Sequence, residues 1–215
     1  MTIRPASDRS LLVSFGQEIS LEAHRRVVSL SRGLGGIRGI LNIHPAYSSV
    51  LVDFDPRLRG RAELEALLRE LAAATGGINA IERTVEIPVR YGGESGPDLE
   101  EVARHAGLSA ERVVELHSSA EYLVYFLGFS PGFPYLGGLP AELATPRLAA
   151  PRQLVPGGSV AIGGSQTGVY PVDSPGGWRI IGRTPLRLFD AQASPPALLA
   201  MGDRVRFTPV REGAI

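Results

Sequence analysis

Gly128-Phe-Ser130-Pro-Gly132 carries the G-x-S-x-G spacing of a serine nucleophile elbow, and the apolar run Tyr122–Leu127 precedes it. An elbow needs the residue after the serine to donate its N–H to an oxyanion hole, and it needs a helix to follow. Pro131 has no N–H, and Pro134 and Gly137-Gly138 stand where the helix would begin. The residues therefore argue against a serine hydrolase and for a rigid loop that presents aromatics. Phe129, Phe133 and Tyr135 flank prolines in this loop, and Tyr170 and Trp178 sit beside later Gly and Pro clusters. Such aromatics either pack the rim of a sheet or form a pocket wall or partner surface, because side chains on rigid turns lose little entropy on binding.

The charges of Tyr122–Asp190 are uneven. Five arginines (147, 152, 179, 183 and 187) face three acids, Glu142, Asp173 and Asp190. A site built here suits an anion better than a metal, since the guanidinium fork matches carboxylate and phosphate. Arg152 and Arg183 lie in the most constrained backbone, Pro151-Arg-Gln and Gly182-Arg-Thr-Pro185, and are the first candidates. Gly157-Gly158-Ser159 and Gly163-Gly-Ser-Gln166-Thr167 can cradle an anion through backbone N–H groups. Neither opens a helix, so ordinary hairpin turns compete with that reading. His117 lies just before the stretch, as a structural histidine or as a catalytic one. The other three histidines show no paired spacing and there is no cysteine, so no metal site is expected.

Composition removes further classes. Basic and acidic residues balance at 22 each, which gives no global attraction to nucleic acid or an anionic membrane. Every basic residue is Arg; without Lys there is neither a Walker-type phosphate loop nor a Schiff base. The N-terminus lacks a signal-peptide layout and no run approaches a membrane span, so a soluble cytoplasmic protein is expected.

Two domains must position these residues. Leu11, Val13 and Phe15 alternate as in a strand, and Ser20 precedes Ala23, Val27, Leu30 and Leu34 at helical spacing. Gly33 to Gly36 stop that helix. Strands follow at about 40–44 and 48–54, then a helix over about 62–74 that Thr75-Gly-Gly77 ends, then a strand over 84–90. The order β-α-β-β-α-β predicts a ferredoxin-like split βαβ domain over 1–83. Gly92–Pro97 reads as a loop or linker, and the strand before it can belong to either side of the boundary. Asp98 and Ser109 are candidate caps for two short helices. Beyond them, Gly128–Pro185 holds 12 Gly and 9 Pro in 58 residues, with aromatic and β-branched residues between. That is the pattern of short strands joined by demanding turns. Strands are expected at about 122–127, 160–163, 169–172, 178–182, 186–189 and 204–209, in a closed or rolled antiparallel sheet over 84–215.

The ordered set Tyr125–Gly138, Pro151-Arg152, Val155–Val160, Gln166–Pro171, Ser174–Trp178 and Ile181–Pro185 resembles the B subunit of bacterial 5-oxoprolinase, the Kip-inhibitor-like family, also called allophanate hydrolase subunit 1. The likeness extends over nearly the whole chain. It implies a C-terminal cyclophilin-like β-barrel and two partner subunits, one of related barrel fold. Together these open 5-oxo-L-proline to L-glutamate with ATP, which the complex binds. No amidase Ser-Ser-Lys site is recognisable. A stable lactam needs its carbonyl activated, and phosphate from ATP would require anion donors. Arg152 and Arg183, with Gln166, Thr167 and Ser159, are expected to bind substrate or anion, and His117 to position or shuttle a proton. Phe129, Phe133, Tyr135, Tyr170 and Trp178 are expected to form a pocket or partner surface. The resemblance also carries a second reading, a regulatory protein that inhibits a sensor histidine kinase. The barrel alone raises a third, prolyl isomerisation, and fold is weak evidence for activity.

Overall fold

The computed structural model describes residues 1–74 and 83–210. The chain divides into two compact units, Met1–Ile81 and Glu82–Ile215. Among the described residues no helix is long and apolar enough to cross a membrane.

The first unit runs β1 (Thr2–Ser7), β2 (Ser10–Ser14), α1 (Leu21–Leu34), β3 (Ile40–Pro45), β4 (Ser49–Phe54) and α2 (Arg61–Ala73). Its sheet has the order β1-β2-β4-β3 and is antiparallel throughout. Leu11, Val13, Val50, Val52 and Phe54 are buried by their alternation, as are Val27, Leu30 and Leu34 of α1 and Leu64 and Leu68 of α2. Ser20 caps α1 by accepting from the Ala23 N–H at 3.1 Å. β4 lies between β2 and β3, but the ferredoxin-like split βαβ domain expected over 1–83 is not completed. The predicted final strand, however, is not in this sheet. The place beside β2 that it would take is filled by β1. Thr2–Ser7 is almost wholly exposed and shows no apolar alternation, so periodicity did not mark it. The helix stop expected at Thr75-Gly-Gly77 lies outside the described residues.

The second unit runs β5 (Thr84–Tyr91), α3 (Leu99–Ala106), α4 (Ala110–Ser119), β6 (Tyr122–Leu127), β7 (Pro134–Gly137), β8 (Arg152–Val155), β9 (Ser159–Gly163), β10 (Gln166–Val169), β11 (Ser174–Gly176), β12 (Arg179–Arg183) and β13 (Arg204–Pro209). Seven strands close a barrel in the order β10-β7-β6-β13-β5-β12-β9, and β8 pairs with β11 in a separate ribbon. Closure leaves the barrel with no free edge. The expected all-antiparallel sheet is broken at one seam, where β13 runs parallel to β5 from Arg204↔Thr84 to Pro209↔Val89. A parallel pair needs a long crossover, and here most of the unit serves as one. Leu186–Phe189 is not a strand; it makes only an isolated bridge, Phe189↔Ala197.

Gly92–Pro97 is no linker. Gly92 N–H donates to Ile181 O at 3.1 Å, Asp98 N–H donates to Ile180 O at 2.9 Å, and a Cβ on Gly96 would stand 2.1 Å from Ile181 O. The segment is pressed onto β12. Ser109 caps α4 through the Arg112 N–H. Asp98 precedes α3 but makes no side-chain cap, because both its oxygens are engaged elsewhere. Residues of α3 and α4, among them Leu99, Val102 and Val113, join Tyr122, Val160, Ile162, Val205 and Phe207 in one core.

Candidate functional site

His117 projects from α4 into the barrel core and is completely buried. Its ring stacks on Phe207 with centroids 4.6 Å apart and meets Tyr91 edge-on. Thr167 Oγ1 donates to Ala161 O at 3.0 Å, so its lone pair accepts from His117 Nε2–H at 2.9 Å. Tyr91 then donates its hydroxyl to Nδ1 at 2.8 Å. Both ring nitrogens are therefore satisfied by a neutral imidazole. Burial pushes the His117 pKa down to about 3 and the Tyr91 phenol well up. The chain of bonds ends on a backbone carbonyl, which cannot take a proton at neutral pH. His117 and Thr167 thus stand together, sealed from any substrate.

Ser130 is no nucleophile in this setting. Its Oγ is buried with no hydrogen-bond partner among the described residues, so no base activates it. The loop around it turns sharply instead. Ser130 N–H donates to Gly128 O at 2.8 Å and Gly128 N–H to Phe133 O at 3.0 Å. Phe129, between them, has φ +68°. This i→i+2 turn with positive φ is the strained form of the γ-turn, and a bulky residue there is rare.

The five aromatics expected to form a pocket or partner surface lie near one another, but Phe133, Tyr170 and Trp178 are buried and of the five Phe129 is the strongly exposed one. Phe133, Tyr170 and Trp178 share a buried cluster, with Tyr135 packed against it. Phe133 lies 5.2 Å from Tyr170 and 5.5 Å from Trp178, centroid to centroid. The Trp178 ring is seated directly over Gly163, where a Cβ would stand 2.5 Å from the ring. Phe129 rests edge-on against Phe133 at 5.4 Å yet is 63 % exposed. Arg147 lies over Trp178 at 5.7 Å. Burial raises the Tyr170 phenol, and the Trp178 amide and the Arg147 and Arg152 charges partly oppose it.

Arg183 and Ser159 are strand partners across β12 and β9, but the rest of the predicted anion set is not gathered with them. Arg152 Nη2 donates to Asp98 Oδ1 at 2.7 Å, and Asp98 Oδ2 accepts from Ile180 N–H at 2.7 Å. Arg152 is thus half committed to a buried carboxylate. Ser159 is buried and its N–H donates to Pro156 O; the Gly158 N–H goes to Tyr170 O and the Gly157 N–H to Asp173 Oδ1. The expected amide cradle is spent on holding its own turn. Gln166 is half-buried opposite Gly163, where β9 turns into β10.

Of the expected anion set, Arg183 lines an open cleft. The cleft has a volume of about 640 Å³, and its charged walls are Arg90, Arg183, Arg187 and Glu94. Arg183 Nε donates to Gly157 O at 3.2 Å, which lays its stem along the Gly157-Gly158 turn. Arg90, Glu94 and Ser95 come from the segment read as strand end and linker, so sequence reading passed over them. Arg90 could be found only as the polar step after Val85, Ile87 and Val89. Gly158 has φ +84°, and a Cβ on it would stand 2.3 Å from Thr184 O. Gly158→Ala is expected to destabilise the barrel by about 2 kcal/mol or more, measured by urea unfolding. An unchanged midpoint would contradict the steric account.

A closed barrel with two capping helices, joined in sequence to a four-stranded α+β unit, defines the class. Residues 1–199 match the family model for the carboxyltransferase domain, subdomain C and D. The chain is 46 % identical to the B subunit of 5-oxoprolinase from Escherichia coli O157:H7 over 207 residues, covering 96 % of this chain and 94 % of the relative. It is 41 % identical to the corresponding B subunit from Bacillus subtilis (strain 168) over 226 residues, covering 98 % and 93 %. The crystal structure of TTHA0988 superposes with a TM-score of 0.87 at 41 % identity, covering 96 % of this chain and 41 % of that longer one. The chain belongs to the family of 5-oxoprolinase B subunits.

Proposed function

We propose that this chain is a non-autonomous subunit of an ATP-dependent 5-oxoprolinase and has a cyclophilin-like barrel. The complex opens 5-oxo-L-proline to L-glutamate. The ring amide C–N bond breaks, one water supplies hydroxyl to the acyl carbon and a proton to the nitrogen, and a second water is consumed as ATP goes to ADP and phosphate. The relatives' names support the reaction. The observation that carries the dependence on partners is Phe129. A bulky aromatic in a left-handed turn costs about 1–2 kcal/mol, and its exposed ring recovers little of that within this chain. Such strain persists at docking and functional sites. Meanwhile His117, the one expected acid–base candidate, is buried, and the Ser130 Oγ, already argued against as a nucleophile, is buried without a base. The accessible surface offers an aromatic anchor and cationic walls, which suit one side of a shared site.

The test is reconstitution with the two other subunits and an assay of ATP-dependent glutamate release. Full activity without this chain overturns the proposal. Inhibition of histidine kinase autophosphorylation by this chain alone would instead favour the regulatory reading. Phe129→Gly separates anchoring from folding. It is expected to leave stability unchanged or raise it by about 1 kcal/mol, while weakening assembly about tenfold or more. Undiminished assembly would remove Phe129 from the interface.

A further inference from the structure

We infer that the Arg90–Arg183–Arg187 cleft is a phosphate site that this chain forms without a partner. The inference goes beyond the shared lactam site and does not rest on it, because every wall of the cleft belongs to the barrel unit. Three guanidiniums and one carboxylate line it, a net formal charge of +2 once an anion displaces Asp190 from its rim pair with Arg187. A monocarboxylate would neutralise only half of this; a phosphate, with about two negative charges near neutral pH, matches it. The volume, about 640 Å³, also leaves room for more than a single small ion, so a phosphoanhydride or a phosphate ester fits.

Arg183 has no carboxylate partner among the described residues. Its Nε is tied to Gly157 O, so the stem is held while both Nη groups remain for a ligand. That is the pre-organised fork that phosphate recognition uses. Arg187 pairs with Asp190 at 3.0 Å, but the pair is strongly exposed, and such a pair is weak enough to yield to a better anion. The Gly157 and Gly158 amides are already bonded to Asp173 and to Tyr170 O. Recognition therefore falls to the guanidiniums alone, and binding should weaken steeply with salt.

The experiment is calorimetric titration of the full chain alone with pyrophosphate, inorganic phosphate and acetate at low ionic strength. Pyrophosphate is expected to bind at least about tenfold more tightly than acetate. Arg183→Gln and Arg187→Gln are each expected to weaken it about tenfold, with unchanged unfolding midpoints because both side chains are exposed. Arg206→Gln, on β13 and paired with Glu121, should leave binding unaltered. Absence of pyrophosphate binding, equal affinity for acetate, or an equal loss in Arg206→Gln would each overturn the assignment. None of these results bears on assembly, so failure here is distinct from failure of the proposed function.

Discussion

Asp98→Ala is expected to destabilise the barrel by about 3–5 kcal/mol, the range for leaving one partner of a buried pair unmatched. Asp98 is only 5 % exposed, and each carboxylate oxygen has a different charge-assisted task. Oδ1 takes Arg152 Nη2 and Oδ2 takes the Ile180 N–H, both at 2.7 Å. Asp98 N–H in turn donates to Ile180 O. The residue therefore stitches the start of α3 to β12 by a reciprocal backbone and side-chain pair. Removing the carboxylate leaves a buried N–H and a partly buried guanidinium without their acceptor. Asp98→Asn keeps one oxygen and should lose less. Urea unfolding of the three proteins checks this; a loss below about 1 kcal/mol for alanine would mean that Arg152 and Ile180 find other acceptors. Because β12 ends at Arg183, the same substitution should also loosen the cationic cleft.

The second large effect is acid lability through His117. Its folded pKa is about 3 against an ordinary value of 6.5. As pH falls below 6.5 the unfolded chain takes up the proton while the folded chain does not. The contribution to stability is whole above 6.5, declines by about 1.4 kcal/mol per pH unit below it, and levels off once pH passes below about 3. Above 6.5 the residue adds no pH dependence. His117→Gln retains an acceptor for Tyr91 and a donor for Thr167, so it should fold and lose this slope. The measurement is unfolding free energy against pH for both proteins. Parallel curves between pH 6 and 4 would show that His117 is not held neutral. His117→Ala removes the ring and both bonds, and is expected to cost about 3–5 kcal/mol even at pH 7.

Both effects arise from residues whose sequence context pointed elsewhere. Asp98 before Leu99-Glu-Glu has the look of a helix cap, but its carboxylate lies within reach of a β12 amide and an arginine, and finds stronger partners there. His117 stood as either structural or catalytic. Only the arrival of Tyr91, Tyr122, Thr167 and Phe207 from β5, β6, β10 and β13 around its ring decides that it is surrounded. The aromatic set fared differently. Phe133, Tyr170 and Trp178 could be singled out because Gly and Pro on either side dictate turns; each lies just outside a strand end, and their burial together is a result of the fold. Arg183 and Arg187 were visible in the same run, whereas Arg90 lies far from them in the chain and shares their wall only after folding.

The sequence alone determined what depends on near neighbours. Periodicity located β2, α1, β4, α2, β5, β6 and β13 to within a few residues. Pro131 excluded the serine elbow, the lack of Lys excluded a Walker loop, and the ordered Gly-Pro motifs carried the family likeness. Tertiary structure decided what depends on pairing between distant segments. It set β5 parallel to β13 across more than a hundred residues, gave the vacant edge beside β2 to β1, sealed His117 in the core, and turned Arg152 toward Asp98. Backbone torsions and apolar spacing are local and can be read residue by residue. Strand partners, burial and the fate of a buried charge follow from how the whole barrel closes, and no short window of sequence contains that information.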